Sequence, residues 1–124
     1  MLTKDLNAIK FLNKCIELNA CDESIKWIKN EINKKNKTTI EDILQKNINT
    51  AWADWTLKIM GNYLDINLRK ILINKIENPM MSFMLYLKCS FLEKEEQNML
   101  LGKFKNKLPT AEKQLKEGRI SKCQ

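Results

Sequence analysis

Apolar residues along this chain recur at helical spacing, and nowhere do they alternate with period two over a strand-like length. Segment 3–18 sets Leu6, Ile9, Leu12 and Ile16 on one face, widened by Phe11 and Cys15. Segment 22–34 uses Ile25, Ile28 and Ile32, with Asp22 placed to cap its start. After the polar link Lys34-Lys35-Asn36-Lys37, Thr38 and Glu41 fit a capping box for a helix over 39–47, which packs through Ile40, Ile43 and Leu44. Segment 50–60 presents Trp52, Trp55, Thr56 and Ile59, and Gly61 falls where a left-handed C-cap belongs. Asp65 is placed to cap 66–76, which packs through Leu68, Ile71, Leu72 and Ile76. Asn78-Pro79 reads as the N-cap and first residue of a helix over 79–91, with Met80, Phe83, Met84, Leu87 and Phe91 as its stripe. Segment 93–104 follows with Met99, Leu100 and Phe104, and a last short helix starts at Pro109-Thr110 and ends before Gly118. The pattern predicts an all-α fold of about eight short helices.

The pattern also repeats. Asn19, Asn47 and Asn78 each stand eight positions before an aromatic residue: Trp27, Trp55 and Tyr86. The pairs Cys15-Ile16, Ile43-Leu44, Ile71-Leu72 and Met99-Leu100 recur every 28 residues. Aligned by hand, these columns give three degenerate two-helix repeats, 19–46, 47–77 and 78–105, inside a single domain over 1–124. Residues 1–18 then form an N-terminal capping helix, and 106–124 a basic C-terminal cap or tail. Over 19–105 the patterning resembles the short two-helix α-solenoid repeats, a looser relative of the HEAT and tetratricopeptide architectures. That resemblance implies a scaffold that recognises another macromolecule, and it brings no functional residues with it.

Composition narrows the chemistry. There is no histidine, so the commonest general base is missing, and no P-loop, G-x-G-x-x-G or H-E-x-x-H motif occurs. The four cysteines show no C-x-x-C spacing, so they read as reduced thiols rather than metal ligands or a disulfide framework. Neither a cofactor nor a metal is expected, and the chain reads as non-enzymatic. No apolar run is long enough to span a bilayer and no secretion signal is visible, so a cytoplasmic protein without a membrane partner is expected.

The formal net charge is +7, with twenty lysines and only Arg69 and Arg119 as arginines. Scarce arginine argues against base-edge readout of nucleic acid. Residues 103–124 hold seven of the bases and two acids, whereas 51–102 are balanced. Abundant Lys, Asn and Ile suggest an AT-rich coding origin. The candidate partner-binding residues are therefore Trp27, Lys29, Lys34, Lys35 and Lys37 on and after the second helix. Lys103, Lys105, Lys107, Lys113, Lys116 and Arg119 form the C-terminal group. Trp27 is expected to be partly exposed, because Lys26 and Lys29 flank it; the other aromatics, Trp52, Trp55, Phe83 and Tyr86, are expected to wedge between units. Glu93, Glu95 and Glu96 read as an exposed acidic patch favoured by a helix N-terminus. The reading that follows is a protein-interaction inhibitor, adaptor or regulator that binds a protein with an acidic surface. A phage or mobile-element product acting on a nucleic-acid-handling host-defence enzyme is one concrete form. The alternative is sequence-nonspecific nucleic-acid binding through the basic C-terminus. Pairing of solenoid ends would make a homodimer.

Overall fold

The computed structural model describes residues 1–35, 37–46 and 48–105. Within them the chain is all-α, with seven helices: α1 (Ala8–Glu17), α2 (Asp22–Lys34), α3 (Ile40–Leu44), α4 (Thr50–Met60), α5 (Ile66–Lys75), α6 (Pro79–Lys88) and α7 (Lys94–Phe104). One 3-10 turn, Gly61–Tyr63, follows α4. The helix expected from Pro109, and the proposed cap over 106–124, lie outside the described residues, as does Asn47.

Consecutive helices pair as α1 with α2, α4 with α5 and α6 with α7, and α5 also packs on α3 and α7. The core runs through these contacts. Leu44, Leu72 and Leu100, each 28 residues from the next, are all fully buried on α3, α5 and α7. The column breaks in α1, where Cys15 is buried but Ile16 is 45% exposed. α1 buries Phe11, Leu12 and Cys15 of the stripe read from the sequence, together with Ala8, but leaves Ile9 and Ile16 exposed, so its core face is centred on the Phe11–Cys15 side. α4 and α6 show the same displacement. They bury Ala53, Thr56, Leu57 and Met60, and Ser82, Phe83 and Leu85, leaving Ile59, Met80 and Leu87 exposed. The small residues Ala53 and Ser82 are fully buried, a signal that a count of large apolar residues overlooks.

Local hydrogen bonding explains where helices start. α1 begins at Ala8 rather than at 3, because Asn7 Oδ1 accepts from Ile9 N–H at 2.7 Å and acts as the cap. The residues before it pair with two other parts of the chain and turn at Lys4–Asp5, where Leu6 N–H donates to Thr3 O. Leu2 N–H donates to Tyr63 O and Leu2 O accepts from Asp65 N–H, while Leu6 O accepts from Ile40 N–H. This stitch ties the N-terminus to both α3 and the turn after α4. The capping box of α3 is Thr39 with Asp42, one residue beyond the expected Thr38 and Glu41. Thr38 is buried instead, donating from Oγ1 to the carbonyls of Glu31 and Lys35. Asp65 and Asn78 cap α5 and α6 as read from the sequence.

Two punctuation residues differ from expectation. Gly61 has φ −55°, not a left-handed conformation. Its reason is space: a Cβ there would sit 2.5 Å from Phe91 Cζ. The left-handed residue is Asn19, at φ 62°. Asn19 N–H donates to Ile16 O and Ala20 N–H to Cys15 O, which closes α1 in a Schellman motif. Asn19 therefore ends α1, whereas Asn78 starts α6, and the asparagine column joins positions of different structural role. α2 is preceded by Cys21, with Asp22 its first helical residue rather than its cap.

Candidate interaction surface

α2 turns Ile28 fully inward, with Ile25 and Ile32 half-buried beside it, and leaves Lys26, Lys29, Asn30 and Asn33 exposed. Residues 26–37 contain five lysines and one acid, Glu31. Glu31 is buried and takes up two of the local cations: Lys34 Nζ lies 3.3 Å from Oε1 and Lys46 Nζ 3.9 Å from Oε2. Among the described residues Lys26, Lys29, Lys35 and Lys37 make no ion pair. The Thr38 hydroxyl fixes the link that carries Lys35 and Lys37, because it reaches back to the Lys35 carbonyl at 3.0 Å. Asp42 also lies within the electrostatic reach of Lys35 and Lys46. Its carboxyl is held below the ordinary value, first by the Thr39 backbone N–H and then by Lys35 and Lys46. The result is a basic surface wrapping the C-terminal end of α2.

The C-terminal group is only partly visible. Lys103 is half-buried in the last turn of α7, and Lys105 is exposed just after it. Lys107, Lys113, Lys116 and Arg119 lie outside the described residues. α7 packs on α6 and α5, while α2 packs on α1, so the two lysine groups stand on different elements.

The aromatic residues form two groups. Trp27 is half-buried and meets Trp52 edge-on, with centroids 5.8 Å apart; Phe11 meets the same Trp52 at 6.3 Å. At the other end Phe104 contacts both Phe83 and Tyr86. Trp55 is half-buried against the main core. Trp52 is the hub of the first group, and its buried Nε1 has no acceptor among the described residues.

The acidic patch is not an exposed trio. Glu96 is fully buried, and its two oxygens each lie 2.7 Å from the Arg69 guanidinium, at Nε and Nη2. Arg69 Nη1 donates to Leu64 O, and Nη2 reaches Glu93 at 3.5 Å. Lys70 pairs with Glu95 at 2.6 Å. Together these contacts lock α5 to α7. The guanidinium is held above its ordinary pKa, chiefly by the Glu96 hydrogen bonds. The signal in the sequence was an arginine on a helix otherwise patterned for the core, in a chain with only one other.

Among the described residues no group of three or more His, Cys, Asp or Glu side chains is arranged to hold a metal ion. Cys15, Cys21 and Cys89 are free thiols, the first and last buried. Burial pushes the Cys15 thiol up to about 12. No described helix is long and apolar enough to cross a membrane. The chain matches no known protein family, and no curated protein or solved structure is detectably similar to it.

Proposed function

We propose that this protein is a non-enzymatic helical-repeat scaffold that binds an acidic surface of another protein through the lysines at the C-terminal end of α2. The observation that carries this reading is that Lys26, Lys29, Lys35 and Lys37 make no ion pair among the described residues, beside a link held in place by Thr38. Unpaired cations on an ordered surface steer an oppositely charged partner and add to its specificity. The repeat part of the reading is supported by the 28-residue column Leu44–Leu72–Leu100, fully buried on helices that pack in series. Regulation or inhibition of the partner by occlusion follows from a binder without catalytic groups. Lysine in place of arginine argues against base-edge readout, since lysine offers a point charge without a bidentate fork.

The test is capture on the immobilised full chain at roughly 0.15 M salt, with and without nuclease treatment, followed by titration of the retained protein. The expected result is a nuclease-insensitive protein whose affinity falls as salt rises. Retention that depends on nucleic acid overturns the proposal. So does tighter binding of single-stranded or duplex oligonucleotides than of any protein, which would assign the basic surface to phosphate.

A further inference from the structure

Two clefts of about 270 Å³ and 420 Å³ lie at the first turns of α2 and α4, and they share Glu23, Ser24, Asn49 and Trp52 as walls. They form one continuous trough. All three tryptophans of the chain line it: Trp27 with Ile48 in the smaller part, Trp55 in the larger and Trp52 in both. Trp52 buries its Nε1, so the ring offers only carbon to the trough. Among the described residues no lysine or arginine lines either cleft, although the chain carries 22 of them. The one carboxylate among the lining residues is Glu23, which is exposed and makes no ion pair among the described residues.

A strongly basic protein thus lines one aromatic trough, among the described residues, with a carboxylate and no cation. We propose that this trough receives the guanidinium of an arginine side chain presented by a partner polypeptide. Indole faces carry negative quadrupole density and attract organic cations. A guanidinium is flat and weakly hydrated, so it stacks on indole while its fork of N–H groups meets a carboxylate such as Glu23. A lysine ammonium is compact and strongly hydrated, and fits that combination less well. An anion would meet both Glu23 and the ring faces. The positive end of α2 is offset by Asp22 and Glu23 in its first turn, and the Trp52 N–H of α4 is already taken by Asn49 Oδ1 at 2.7 Å. Beside Glu23, the Cys21 thiol lies 3.1 Å from Ser24 Oγ, a hydrogen bond that holds it below its ordinary value.

This site is separate from the lysine surface, and one experiment distinguishes them. The full chain is titrated with N-acetyl-arginine amide, N-acetyl-lysine amide and the uncharged isostere N-acetyl-citrulline amide, while the three indole N–H signals are followed by NMR. The arginine probe is expected to shift them saturably, with a dissociation constant on the order of 1 mM. Citrulline should bind at least about fivefold more weakly, and lysine should fall between. Glu23→Gln, at an exposed position, should weaken arginine binding by about fivefold, and Trp27→Leu by more. Lys29→Glu/Lys35→Glu/Lys37→Glu should leave it unchanged. Equal response to citrulline, an unaltered constant in Glu23→Gln, or the same shifts produced by inorganic phosphate would each overturn the assignment.

Discussion

Trp27 and Trp52 stand nearly perpendicular, 5.8 Å between ring centroids and 68° between planes, and through this contact α2 meets α4. Phe11 from α1 touches the same Trp52 ring, so one indole joins three helices. Edge-to-face pairs contribute about 0.5–1.5 kcal/mol beyond the area they bury. Trp52→Leu should therefore cost more stability than Trp27→Leu, about 2 against about 1 kcal/mol. A double-mutant cycle in urea should return a coupling of about 1 kcal/mol. Strict additivity would mean the rings touch without mutual stabilisation.

The Arg69–Glu96 pair behaves differently from a surface salt bridge because both partners are buried. Removing one charge strands the other in the core, which costs about 3–5 kcal/mol. Glu96→Gln and Arg69→Met should each lower the unfolding free energy by about 3 kcal/mol. The double change to Met at both positions should cost less than either alone, since no buried charge is left over. Denaturant titration of the three variants gives the comparison directly.

Gly61 is required for space and not for backbone freedom. Gly61→Ala places a methyl 2.5 Å from Phe91 Cζ and 2.7 Å from Cε1, so the Phe91 ring must move. A loss of about 1–3 kcal/mol is expected. Phe91→Leu, which vacates the ring edge, should recover part of that loss in the double variant. If Phe91→Leu makes Gly61→Ala no better tolerated, the constraint lies elsewhere.

Cys15 gives the fold an alkaline liability. In the unfolded chain the thiol ionises near its ordinary value of 9.0, while burial holds it protonated in the folded chain up to about 12. Between those values the folded state binds the extra proton, so stability contributed at this site declines as pH rises. Cys15→Ala lacks that dependence. The stability gap between the two proteins should narrow from pH 8 to pH 10, and at pH 8 Cys21 should react with iodoacetamide while Cys15 stays unlabelled. A gap that is constant with pH would show that the thiol is not desolvated.

Helix existence and type were legible because apolar residues recur with a helical period and because Asp65, Asn78 and Pro79 punctuate them. Which face turns inward was harder to read. Ile9, Ile16, Ile59, Met80 and Leu87 fit the core by size and spacing, yet they are exposed while the smaller Ala8, Ala53 and Ser82 are fully buried. Asn19 and Gly61 carry opposite lessons: the residue that adopts positive φ was the asparagine, and the glycine serves a neighbouring ring. Glu96 looked exposed because its partner is 27 residues away, beyond any local pattern. Of the candidate site, the lysines after Trp27 could be named from the sequence. The trough at Glu23 could not, since it is built from two helix starts and the three tryptophans that line it.

The central claim is that lysines at the end of α2 bind an acidic protein surface, and charge reversal there tests it most directly. The dissociation constant of the captured partner is measured for the full chain and for Lys29→Glu/Lys35→Glu/Lys37→Glu, with circular dichroism to confirm an unchanged helical fold. The account predicts a loss of more than about tenfold at roughly 0.15 M salt, shrinking as salt is raised, since screening removes the interaction that the reversal abolishes. An affinity within about twofold of the original chain would contradict it.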